Sequence, residues 1–138
     1  MTETSGAFRG AKLILLLGGR LLVIRRDRKS GIAWPGYLDF PGGGREGAES
    51  PLACALRETR EEVGLRISHT ALEWCHQNQR AGGCNWFFGA RLGAERAVGI
   101  RFGNEGVGWS LMDPQEFLSR ADAIPHFRGV LRLYLGQV

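Results

Sequence analysis

The chain has 138 residues, a formal charge of +4, 43% apolar residues and 23% charged residues. That length suits one domain over residues 1–138, and the balance excludes disorder. The 21 glycines show no three-residue period, which excludes collagen, and the longest apolar run, 13–17, is far too short to span a bilayer.

No basic start leads into a long apolar stretch, so no signal peptide is expected. The three cysteines, Cys54, Cys75 and Cys84, lack CxxC spacing. They fit a reduced, cytoplasmic chain without a disulfide framework or zinc site.

In chain order, residues 12–17 (KLILLL) and 20–26 (RLLVIRR) flank Gly18 and Gly19, the pattern of a hairpin with a primed two-residue turn. Residues 30–48 are rich in glycine and proline and form a loop. Ser50 as N-cap and Pro51 at the first helical position predict a helix over 51–62, stopped by Gly64. Its buried stripe would be Leu52, Ala55, Leu56, Thr59 and Val63. Residues 65–78 and 85–92 predict two strands joined by a turn at 81–84, and 107–112 a further short strand. Asp113, Pro114 and Glu116 make a helix start, and an amphipathic helix follows over about 127–135. This order implies an α/β domain with helices packed on a mixed sheet.

Sixteen of the eighteen basic residues are Arg, a composition that suits a phosphorylated partner and equally a bias in base composition. The positive charges are scattered and form no nucleic-acid-binding motif, so neither nucleic acid nor membrane is expected as a partner. The acids are more informative. Five of the fourteen, Glu46, Glu49, Glu58, Glu61 and Glu62, lie between positions 46 and 62.

Glu58, Glu61 and Glu62 stand at i, i+3 and i+4, on a helix face opposite Leu52 and Leu56, with origins about 5–6 Å apart. Glu61 and Glu62 also lie at the negative end of the helix dipole, each at a cost of about 0.3–1 kcal/mol. A solvated acidic face is the ordinary fate of such a run, but stability alone would select Lys or Arg here. A bound divalent cation reverses each unfavourable term. Clustered carboxylates suit Mg²⁺, with Mn²⁺ as a substitute. Arg57 is placed to pair with Glu61, and Glu49 to reach Arg57. The glycines at 42–44 let backbone groups approach an ion or phosphate closely.

Gly43, five residues, Glu49, seven residues, then RETREEVGL at 57–65 resembles the Nudix box, G-x5-E-x7-R-E-U-x-E-E-x-G-U. All seven fixed letters match, a coincidence expected roughly once in 10⁸ starts at ordinary residue frequencies. Thr59 departs from the first apolar position. The approach WPGYLDFPGG at 34–43 is similar as well.

The resemblance implies an α/β/α sandwich of the Nudix type and Mg²⁺-dependent hydrolysis of a nucleoside diphosphate linked to a group X. It assigns Glu58, Glu61 and Glu62 as metal ligands, with a carbonyl from Gly42 or Gly43. Arg57 would orient the carboxylates, supported by Glu49. Glu105, in GNEG at 103–106, is the candidate for a further ligand or base. Either Glu58 or Glu105 would take the proton of the attacking water. A homodimer is compatible with the family.

For the substrate, no proline lies between Pro51 and Pro114, and the only tyrosines are Tyr37 and Tyr134. The markers that ADP-ribose and dinucleoside polyphosphate hydrolases tend to carry after the box are therefore absent, as is the tryptophan–proline run of NADH hydrolases. Elimination leaves a MutT-like pyrophosphohydrolase of (d)NTPs, including oxidised ones. An ADP-ribose or NDP-sugar hydrolase, and a catalytically silent nucleotide-binding regulator, are the alternatives. Trp34, Phe87, His126 and Phe127 are candidates to hold the base, and Arg25, with its neighbour Arg26, to touch phosphates.

Overall fold

The computed structural model describes residues 7–136. Its strands are β1 (Gly10–Leu17), β2 (Arg20–Arg25), β3 (Leu38–Asp39), β4 (Gly42–Gly44), β5 (Leu72–Arg80), β6 (Gly83–Leu92) and β7 (Gly108–Met112). The helices are α1 (Pro51–Val63), α2 (Pro114–Ser119) and α3 (Pro125–Leu135). None of them is long and apolar enough to cross a membrane.

The β1–β2 hairpin forms as expected, with Gly18 at φ 58° and Gly19 at φ 83°, the left-handed pair that a primed turn requires. The apolar run of β1 reflects burial on both faces. Leu13, Leu15 and Leu17 enter the core beneath α1, whereas Ile14 and Leu16 enter a second core beneath α2 and α3. The two cores lie on either side of one mixed sheet, the expected sandwich.

The sheet runs β3-β2-β1-β6-β5, with β4 on β1 and β7 on β2. β1 and β6 run parallel from Gly10↔Asn85 to Leu17↔Leu92, and the other pairs are antiparallel. Along its free side β1 changes partner. Leu16 and Leu17 pair with β2, whereas Gly10, Ala11 and Lys12 pair with β4. This change of neighbour brings the glycine loop and the start of α1 to the middle of the sheet.

Several boundaries differ from expectation. The predicted 30–48 loop contains β3 and β4, strands of two and three residues built by pairing with β2 and β1. The expected strand over 65–78 begins only at Leu72, because Ser68 caps a 3-10 turn at His69–Ala71. The second hairpin turns at 81–82, with Gly83 and Cys84 already in β6. The last helix begins at Pro125, which places His126 in its first turn.

α1 starts as expected, with Ser50 Oγ accepting the Ala53 N–H at 3.1 Å, and ends on Gly64 at φ 73°. Its buried face is Pro51, Cys54, Ala55, Thr59 and Val63, so the stripe is rotated from the expected one. Leu52 and Leu56 are partly buried at its edge. Glu58 and Glu62 therefore flank the core at half-burial, and only Glu61 is exposed.

Thr59 is fully buried, and its hydroxyl oxygen has no partner. An unpaired buried hydroxyl costs about 1–3 kcal/mol, and Val keeps the shape without it. Thr59→Val is expected to stabilise the fold by about 1 kcal/mol in urea denaturation. Unchanged or lower stability would show that the hydroxyl is satisfied.

Candidate active site

Arg57 lies at the centre of the acidic helix face. Its Nε and Nη2 donate to the two oxygens of Glu49 at 3.0 and 2.8 Å, a bidentate pair. Its Nη1 donates to Glu58 Oε1 and Glu61 Oε1, both at 3.1 Å. Nη2 also reaches the Gly44 carbonyl at 2.9 Å, which ties the helix to β4. The Arg57 bond, opposed by burial, holds the Glu49 carboxyl at about 2. One guanidinium thus fixes two helix carboxylates through a third on the preceding loop.

Glu62 is oriented separately. Its Oε1 accepts the Gly42 N–H at 2.6 Å, and burial pushes its carboxyl up to about 7 against the pull of Lys12 and that hydrogen bond. Burial raises Glu58 as well, with Arg57 opposing. Lys12 Nζ bridges Asp39 Oδ2 at 3.1 Å, the Gly42 carbonyl at 3.0 Å and the Phe40 carbonyl at 3.4 Å. Asp39, almost fully buried, also accepts from Arg26 at 2.9 Å. This Lys12–Asp39–Arg26 link was not singled out in the sequence. Its signal was two charges set into apolar runs, Lys12 before LILLL and Asp39 between Leu38 and Phe40.

Among the described residues no three His, Cys, Asp or Glu side chains enclose an ion. Glu58 and Glu61 are turned onto Arg57, and Glu62 onto Gly42. The donor set nevertheless fits a hard divalent cation. It consists of carboxylate oxygens beside backbone carbonyls, without imidazole or thiolate. The glycines keep that space open, since a Cβ on Gly43 would stand 2.7 Å from Glu58 Cδ. The Gly43 carbonyl accepts from the Cys54 thiol at 3.5 Å, whereas the Gly42 carbonyl accepts from Lys12 Nζ at 3.0 Å and the Gly42 N–H binds Glu62. Glu105 is exposed and lines a groove together with Glu62, Asp39 and Arg26.

A larger cleft of about 420 Å³ lies over β1, β4 and β6 on the α3 side of the sheet. Trp34, Phe87, His126 and Phe127 all line it, as does Gly43. Phe87 and Phe127 meet edge to face at 5.1 Å as its buried back wall. Trp34, at φ 52°, is the one non-glycine with positive φ among the described residues, and its ring stands against Tyr37. Nδ1 of His126 is buried without a partner, and burial lowers that imidazole's pKa.

Arg25 is not brought to this cleft. It donates to Asp122 at 2.8 Å and to the Gly36 carbonyl at 2.9 Å, away from the aromatic wall. Its neighbour Arg26 lines the cleft instead.

Several solved structures share this architecture. An Ap4A hydrolase of C. elegans, in a binary complex, has a TM-score of 0.72 at 17% identity, over 93% of this chain and 96% of that one. A MutT protein from Methanosarcina mazei Go1 has a TM-score of 0.71 at 16% identity, over 96% of both chains. The E. coli ORF135 protein has a TM-score of 0.67 at 22% identity, over 92% of this chain and 87% of that one. At such identities the likeness is one of fold. A search of curated proteins finds no match. The family model described as NUDIX domain matches residues 7–134, from before β1 to within α3, and so takes in the helix carboxylates and the cleft alike. The chain therefore belongs to the NUDIX domain family, hydrolases of phosphoric anhydrides.

Proposed function

We propose that this chain hydrolyses nucleoside triphosphates, ordinary or oxidised, to the monophosphate and pyrophosphate with Mg²⁺ or Mn²⁺. The observation that carries this reading is the aromatic cleft opening onto Gly43, beside the Glu58 carboxylate. Its volume of about 420 Å³ suits one nucleoside. The base would stack between Trp34 and the Phe127 wall, with His126 at its edge.

The cation, when bound, neutralises charge on the polyphosphate and acidifies the attacking water. Glu58, Glu61 and Glu62 would hold it with a carbonyl of Gly42 or Gly43. Arg57, pinned by Glu49, keeps two of those carboxylates on one side of the helix. Glu105 is exposed in the groove that Glu62 lines, and among the described residues it forms no ion pair. It would accept the proton as the water oxygen bonds to phosphorus and the bridging P–O bond breaks.

The test is a panel of (d)NTPs, 8-oxo-dGTP, ADP-ribose, NDP-sugars and dinucleoside polyphosphates, assayed with Mg²⁺ and with EDTA. Pyrophosphate release from triphosphates, abolished by EDTA, is expected. Turnover confined to ADP-ribose or NDP-sugars would replace the substrate class. Nucleotide binding without turnover of any member would instead make the chain a silent regulator.

A further inference from the structure

The rim of the aromatic cleft carries positive charge that its acidic residues do not balance. Arg9, Lys12, Arg26 and Arg80 line the cleft against one acid, Asp39. Lys12 and Arg26 share that acid, at 3.1 and 2.9 Å. Among the described residues neither Arg9 nor Arg80 forms an ion pair. Guanidinium groups without an acidic partner in a concave, partly apolar place favour an anion, and their geometry matches phosphate oxygens.

The β5–β6 hairpin tip holds these two arginines. Arg80 closes β5 opposite Gly83. Arg9 Nη1 donates to the Gly82 carbonyl, and its stem crosses Gly83, where a Cβ would stand 2.5 Å from Arg9 Cδ. A side chain at position 83 would push Arg9 away. The Arg9 N–H donates to the Cys84 carbonyl at 2.8 Å, and the Arg9 carbonyl accepts from the Arg45 N–H at 2.9 Å. Arg9 is thus anchored to β6 and to the chain leaving β4. The Arg80 charge faces His126 closely enough to help lower its pKa, after burial.

We propose that Arg9 and Arg80 bind a phosphomonoester on the sugar, so that the substrate is a nucleotide carrying a ribose phosphate besides the pyrophosphate that is cleaved. This inference rests on the nucleotide-hydrolase reading above. Trp34, Phe127 and Gly43 line the same cleft as Arg80, Gly82 and Gly83 of the hairpin tip, so a ribose between base and pyrophosphate would share that cleft with the two arginines.

The test is calorimetric binding to the full chain in EDTA, using AMP, ADP and the 2′,5′- and 3′,5′-bisphosphates of adenosine. One bisphosphate is expected to bind about tenfold tighter than AMP. The Arg9→Gln/Arg80→Gln double variant should remove that preference, so that the bisphosphates bind it no tighter than AMP does. Arg80→Gln alone, at an exposed position, should remove part of it. Arg132→Gln, exposed on α3, should retain all of it. Equal binding of AMP and both bisphosphates would overturn the proposal, as would a preference that survives the double variant or is lost in Arg132→Gln. If ADP gained as much as the bisphosphates and lost it in the double variant, the arginines would hold the polyphosphate chain instead, which also overturns it. Binding needs no turnover, so failure of the hydrolase reading would appear separately, in the substrate panel.

Discussion

Glu62→Gln is expected to lower kcat on the order of 10²–10³-fold while making the metal-free fold more stable at neutral pH. The two effects have one origin. Glu62 is a half-buried carboxylate whose pKa burial raises to about 7. Gln retains the oxygen that accepts the Gly42 N–H, at 2.6 Å in the wild type, and removes only the charge.

A carboxyl whose folded pKa lies above its unfolded value weakens the fold wherever it is ionised. Below the ordinary carboxylate pKa both states are protonated and the penalty is absent. It grows as pH rises from the ordinary value of 4.5 to about 7, and is complete above that. Because Glu62 keeps some contact with water and lies near Lys12, we expect Glu62→Gln to gain about 1–2 kcal/mol at pH 8. The gain should vanish near pH 4. Urea denaturation in EDTA at the two pH values, beside steady-state kinetics in Mg²⁺, checks both halves. Wild-type turnover would remove Glu62 from the reaction. A loss of stability at pH 8 would make its charge structural.

The parts of this site legible in the sequence are those that local chemistry dictates. Ser50, Pro51 and Gly64 delimit α1, and the spacing of Glu58, Glu61 and Glu62 conflicts with its dipole whatever surrounds it. Gly18 and Gly19 likewise determine their turn. The segments β3 and β4 were illegible because their two and three residues have little strand propensity, and pairing with β1 and β2 makes them strands. The rotation of the α1 stripe has a similar cause. Cys54 and Thr59 face the sheet as small side chains that admit close packing, which an apolar count ranks below Leu52 and Leu56.

Arg25 and Arg26 illustrate a different limit. Successive residues at a strand end point to opposite faces, so one position decides between the Asp122 ion pair and the cleft. Composition cannot make that choice. Nor could it find Lys12 and Asp39, which become a pair only when β3 docks on β2 and β2 on β1.

Gly42 and Gly43 are adjacent in the box approach, yet alanine at the two positions is expected to fail in different ways. Gly42 has φ 134°, a conformation side chains rarely adopt, and a Cβ there would stand 2.3 Å from the Ala11 carbonyl oxygen and 2.6 Å from Lys12 Cα. Both obstacles are backbone within the sheet, so Gly42→Ala must shift β4 or break its pairing with β1. A loss of about 2–4 kcal/mol in stability follows. A Cβ on Gly43 meets the Glu58 carboxylate first, at 2.7 Å from Cδ and 2.8 and 2.9 Å from its oxygens. That side chain can rotate away, so Gly43→Ala should lose less than about 1 kcal/mol. Turnover should fall roughly 10²-fold, because displacing a reacting group by about an ångström has that effect. Unfolding curves and kcat measured on the same preparations separate the two outcomes. If Gly43→Ala retained wild-type kcat, the position of the Glu58 carboxylate would not matter to the reaction. If Gly42→Ala were as stable as the wild type, the β1–β4 pairing would not constrain the glycine loop.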